Sequence, residues 1–157
     1  MFGKKKIILH LALSNNRYII LSKYIITMGK LNYKSGLLYL YWLMSGADGA
    51  KNFDPNDPEW KTMKLMREHE NIGEDDFDSF INSDLGSAED QLNTVLGIMQ
   101  HASLDQKVNA LAWMDLVMIA DGNIHTKEYE LYNKVRNKLG VDEDAIKAAK
   151  LKLPTLK

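Results

Sequence analysis

The stretch Leu111–Leu131, L-A-W-M-D-L-V-M-I-A-D-G-N-I-H-T-K-E-Y-E-L, decides the fold. An almost wholly apolar run stops at Asp121-Gly122, and a few residues later a new helix opens with an acid, Glu128. The same plan stands between Tyr39 and Leu65: Y-L-Y-W-L-M-S-G-A-D-G, a loop, then D-P-E-W-K-T-M-K-L. One plan written twice in a chain of 157 residues points to an internal duplication.

Working outward, Asp48 aligns with Asp121, Ala47 with Ala120 and Leu43 with Leu116. Glu59 then meets Glu128, and Trp60 meets Tyr129, if the first loop holds four extra residues. Asp57-Pro58-Glu59 is a helix start, with Asp as cap, Pro at the first position and an acid in the first turn. The spacing predicts further helices at 75–82, from Ser87 to Gln100, from Thr126 to Gly140 and after Asp142. Ser103 and Gln106 form a capping-box pattern ahead of the run 104–120. No segment alternates as a strand does. The expected fold is all-α: a single domain of about seven helices with an internal duplication. The two all-round apolar helices, 36–47 and 104–120, belong at its centre, surrounded by amphipathic ones. Trp60, Met63, Leu65, Met66, Phe77, Phe80, Ile81 and Tyr129 are expected to face inward, and Phe53 to anchor the first loop.

Hydrophobic content of 45% and charged content of 26% are those of a globular protein. Cysteine is absent, which removes disulfides, thiolate metal sites and a cysteine nucleophile. The net charge of −1 conceals an asymmetry: residues 1–34 hold seven Lys and Arg and no acid, leaving the remainder at −8. An acidic folded part argues against nucleic-acid binding. The basic extension 1–34 has three competing readings. Translation starts at Met28, or the segment is an amphipathic helix touching anionic lipid, or it packs on the domain 35–157.

An aspartate at the C-terminal end of a helix faces the negative pole of the macrodipole, at a cost of about 0.3–1 kcal/mol. Both repeats accept this cost. The last helix carbonyls lack intrahelical partners, so Asp48 with Glu59, and Asp121 with Glu128, outline two oxygen-rich corners. Hard cations such as Ca²⁺ or Mg²⁺ favour such oxygens, and Asp54 and Asp57 enrich the first corner. The competing reading is structural: in an Asp-Gly turn the side chain bonds a backbone N–H two residues on. Asp115, which interrupts an apolar run opposite Trp42, needs a partner or a proton if buried. The histidines show no ligand spacing, and no nucleophile motif or Gly-rich phosphate loop occurs. The sequence therefore reads as non-enzymatic, with no small-molecule substrate identified.

The paired signatures L-M-S-G-A-D-G…D-P-E-W and V-M-I-A-D-G-N-I-H-T-K-E-Y resemble the tellurite-resistance TerB-like family over roughly residues 35–141. The resemblance implies an all-helical bacterial stress-response domain, cytoplasmic or associated with the inner membrane. It also implies other proteins of a stress-response assembly as partners, and divalent metal binding through Asp48, Glu59, Asp121 and Glu128. Two departures stand out: the first loop is longer, and Gly46 replaces Ile119. The alternative is a metal-independent interaction module that uses its acidic surface.

Overall fold

Leu37, Leu38, Leu40 and Met44 are almost completely buried on α1 (Tyr33–Ser45), as are Leu111, Ala112 and Trp113 on α5 (Leu104–Met118). These two helices pack against each other and form the centre, as their lack of a polar stripe predicts. The computed structural model describes residues 31–47, 54–83 and 86–157. The readings of the basic extension up to residue 30, of the Asp48-Gly49 turn and of Phe53 lie outside the described residues.

Five further helices complete the described part: α2 (Pro58–His69), α3 (Glu74–Ile81), α4 (Ala88–Gln100), α6 (Thr126–Leu139) and α7 (Glu143–Lys150). No strand occurs among the described residues, and the fold is all-α. None of these helices is long and apolar enough to cross a membrane. Side chains fix most helix starts. Asn32 Oδ1 accepts from the Ser35 N–H, Asp57 caps α2, and Ser87 and Ser103 close capping boxes with Asp90 and Gln106. Asn32 places the start of α1 three residues earlier than the expected Gly36.

The duplication is visible in detail. Each position of α2 and α3 has its counterpart 69 residues later in α6 and α7. Both α2 and α6 end in a Schellman turn. The left-handed residue is Asn71 (φ 52°) in one and Gly140 (φ 65°) in the other. In each, the next N–H reaches back five residues, from Ile72 to the Arg67 carbonyl and from Val141 to the Arg136 carbonyl. Each turn is strapped by an arginine that reaches the first residue of the next helix. Arg67 bonds Glu74 at 2.9 Å and Arg136 bonds Glu143 at 2.7 Å, and both arginines bury an Nε with no hydrogen-bond partner. Across the halves the packing is reciprocal: α3 lies on α1 and α7 on α5, while α2 reaches across to α5 and α6 to α1.

The helix α4 has no counterpart and lies mainly on α1. The two meet closely: a Cβ added at Gly36 would stand 2.5 Å from the Met99 methyl group. Six methionines, Met44, Met63, Met66, Met99, Met114 and Met118, are no more than 4% exposed and fill the core between helices of unequal spacing. Two inward assignments are corrected. Ile81 is 59% and Tyr129 53% exposed, because α3 and α6 each bury a narrower face than an apolar spacing of three to four suggests. Leu65 and Trp60 are half-buried.

Candidate functional site

The second corner is built by the end of α5 and the start of α6. After Met118 the chain turns through Gly122, whose φ of 82° favours a residue without a Cβ. Asp121 Oδ1 accepts the Asn123 N–H at 2.8 Å, which is the turn chemistry open to any Asp-Gly. Its Oδ2 lies 3.7 Å from His125 Nε2. The His125 N–H donates to Glu128 Oε2 at 3.2 Å, so His125 rather than Thr126 occupies the cap position, and Glu128 is 1% exposed. Asp121 and His125 thus approach each other at this corner, and backbone amides engage both Asp121 and Glu128.

The described part of the first corner repeats this use of carboxylates. Asp54 Oδ1 accepts from the Asn56 N–H and Asp57 Oδ1 from the Glu59 N–H, each at 2.9 Å. Glu59 is half-buried beside Tyr41. Burial, reinforced by the charges of Glu59 and Asp57, pushes the Tyr41 phenol up to about 12. Asp48, which completes the first pair, lies outside the described residues. Among the described residues no three Asp, Glu or His side chains converge as a cation site requires.

Asp115 has a definite partner. Lys150 Nζ on α7 donates to its Oδ2 at 2.5 Å, and both side chains are largely shielded, at 29% and 16% exposure for Lys150 and Asp115. Burial, followed by the charge of Asp115, pushes the Tyr132 phenol up to about 12.

A polar cluster that the sequence reading passes over joins α2 to α5. Glu70 Oε1 accepts from Asn109 Nδ2 at 2.6 Å and from Trp113 Nε1 at 2.9 Å, and His69 Nδ1 lies 3.1 Å away. Tyr33 OH donates to the Gln106 carbonyl at 3.1 Å and accepts from Asn109. Burial, against the Asn109 bond, pushes the Tyr33 phenol upward. The available signal was Asn109 and Trp113, four residues apart on one face of α5. These bonds satisfy buried polar groups and tie α1, α2 and α5 together; they line a shallow groove that also includes Lys34, Asp105 and Lys152.

No protein-family model, no curated protein and no solved structure matches the chain.

Proposed function

We propose that the chain is a non-enzymatic, TerB-like helical domain that works as an adaptor in a bacterial stress-response assembly of the tellurite-, chemical- or phage-resistance kind, and that it binds its protein partner at the α5–α6 corner. The observation that carries this reading is the exposure there of three large apolar side chains, Ile119 at 37%, Ile124 at 57% and Tyr129 at 53%. Large apolar groups gathered at one exposed place are the usual anchors of a protein interface. Asp121 and Glu130, both exposed, adjoin this stretch in sequence, so a partner with an apolar side chain among basic groups fits. The test is capture of partners from native lysate with the full chain and with an Ile124→Asp/Tyr129→Ala variant of unchanged helicity. The partner recovered by wild type is expected to be lost with the variant and to be indifferent to chelators. Equal recovery by both would refute this surface.

Cation binding at the corners is a second reading, favoured by the burial of the Glu128 carboxylate at 1% exposure, since a buried charge calls for compensation. A cation there would fix the angle between α5 and α6. Calorimetry with Ca²⁺, Mg²⁺, Mn²⁺ and Zn²⁺ on wild type and on an Asp48→Asn/Asp121→Asn variant decides it. Heat seen only with wild type supports this reading, and no heat with either removes it.

A further inference from the structure

Between α1, α2, α3 and α4 lies a half-open cavity of about 320 Å³, within the range of sites for small ligands. Six aromatic rings line it: Tyr39, Tyr41, Trp42, Trp60, Phe77 and Phe80. Phe80 is at the centre of this wall, edge-on to Tyr39 at 4.8 Å and to Trp42 at 6.3 Å between centroids. Exposed Ile81 stands among the lining residues, and among the described residues no Asp, Glu, Lys, Arg or His lines the space. The ring of Phe77 already carries a cation, with the Arg67 guanidinium 4.3 Å from its centroid. These features favour a neutral ligand.

The polar lining narrows the class further. Ser83 Oγ donates to the Phe80 carbonyl at 2.6 Å, so in its bond with Tyr39 the phenol is the donor. Gln91 Nε2 donates to the Gly86 carbonyl at 3.1 Å, which leaves Oε1 as the remaining acceptor of that amide. The Gln91 amide oxygen is thus an acceptor among the lining residues, and it suits a ligand that brings a donor of its own.

The second half of the duplication supplies an internal control. At the positions of Tyr39, Phe77 and Phe80 it has Ala112, Ile146 and Ala149, and α7 packs more closely on α5 than α3 does on α1. At the positions of Trp42 and Ile81 it has Asp115 and Lys150, bonded to each other across the same place. The same framework can thus be closed, and the first half holds it open with rings.

We infer that this cavity binds a small, neutral, flat aromatic molecule bearing one N–H or O–H donor, of the indole or phenol class. The test titrates the full chain with indole, phenol, toluene and tetramethylammonium while amide and indole N–H resonances are followed by NMR. Indole is expected to give saturable shifts at Trp42 and Trp60 rather than Trp113, with Kd on the order of 0.1–1 mM. Toluene, without a donor, is expected to bind several-fold more weakly. A Trp42→Asp/Ile81→Lys variant, which copies the closed half, is expected to abolish the shifts. Should that variant not fold, Gln91→Leu serves instead, lowering affinity for indole and sparing that for toluene. The inference is overturned by absence of saturation with indole and phenol, by preferential binding of tetramethylammonium, or by unchanged indole binding in the variants that fold.

Discussion

Trp42 and Ile81 stand in the first half where Asp115 and Lys150 stand in the second. Around them the two halves share helix order, left-handed turns and arginine straps. The shared turns and straps set backbone direction, while Tyr39, Trp42, Phe77, Phe80 and Ile81 and their counterparts fill the space between the first and third helices of each half. After duplication the turns are constrained by φ and by carbonyl satisfaction, whereas the filling is free to change as long as the space is closed or usefully occupied. In the first half rings do the filling, and in the second alanines allow close approach and one ion pair covers the gap.

The largest effect that would test this contrast is Phe80→Ala, which gives the first half the residue of Ala149. It removes a half-buried ring in contact with Tyr39, Trp42 and Phe77, and a loss of about 2–3 kcal/mol is expected in urea unfolding. A loss below about 1 kcal/mol would mean that the rings do not hold α3 in place. Next in size is Lys150→Ala, which strands Asp115 at 16% side-chain exposure. It is expected to cost about 1–2 kcal/mol, and the Asp115→Ala/Lys150→Ala double variant less than the sum of the singles. Additive losses would show that the pair does not act as a unit.

The shared turns predict a smaller and asymmetric effect. Gly140→Ala forces a Cβ into the left-handed region and is expected to cost about 1 kcal/mol, whereas Asn71→Gly should change stability by under about 0.5 kcal/mol. Equal costs at the two sites would break the equivalence of the turns. The smallest effect is expected in alkali. Tyr41 and Tyr132 are pushed up to about 12, from 10.0 in the unfolded chain. Their folded forms hold the proton longer, so the stability they contribute is complete below pH 10 and is lost as pH rises towards 12. Urea unfolding at pH 9 and pH 11 should differ by on the order of 1 kcal/mol from these groups, after allowance for solvent screening. The Tyr41→Phe/Tyr132→Phe variant should show a flatter profile.

Most of the helical frame was legible because it is written in local chemistry. Asp57-Pro58, Ser87, Ser103, Gly140 and Asp142 act within a few residues of themselves, and the structure places each at the helix end it announces. The facing of Ile81 and Tyr129 was not legible, since periodicity gives a face but not how much of that face a neighbour covers. The partner of Asp115 lies 35 residues away on α7, and no local pattern links a lone core aspartate to one lysine among many. For the corner acids, the sequence offered both a cation ligand and a turn former at Asp121, and the bond to the Asn123 N–H is the turn former's. The aromatic cavity was hidden for a related reason: rings at helical spacing announce packing, and only the arrangement of four helices shows where packing stops short.

The thioether of Met99, wholly buried on the inner face of α4 and set against Gly36, makes this cysteine-free chain its own chemical clock. Peroxide can reach that sulfur only when α4 lifts from α1, and the added sulfoxide oxygen would hinder its return. Mass-spectrometric timing of Met99 oxidation would therefore record the first excursion of a single helix.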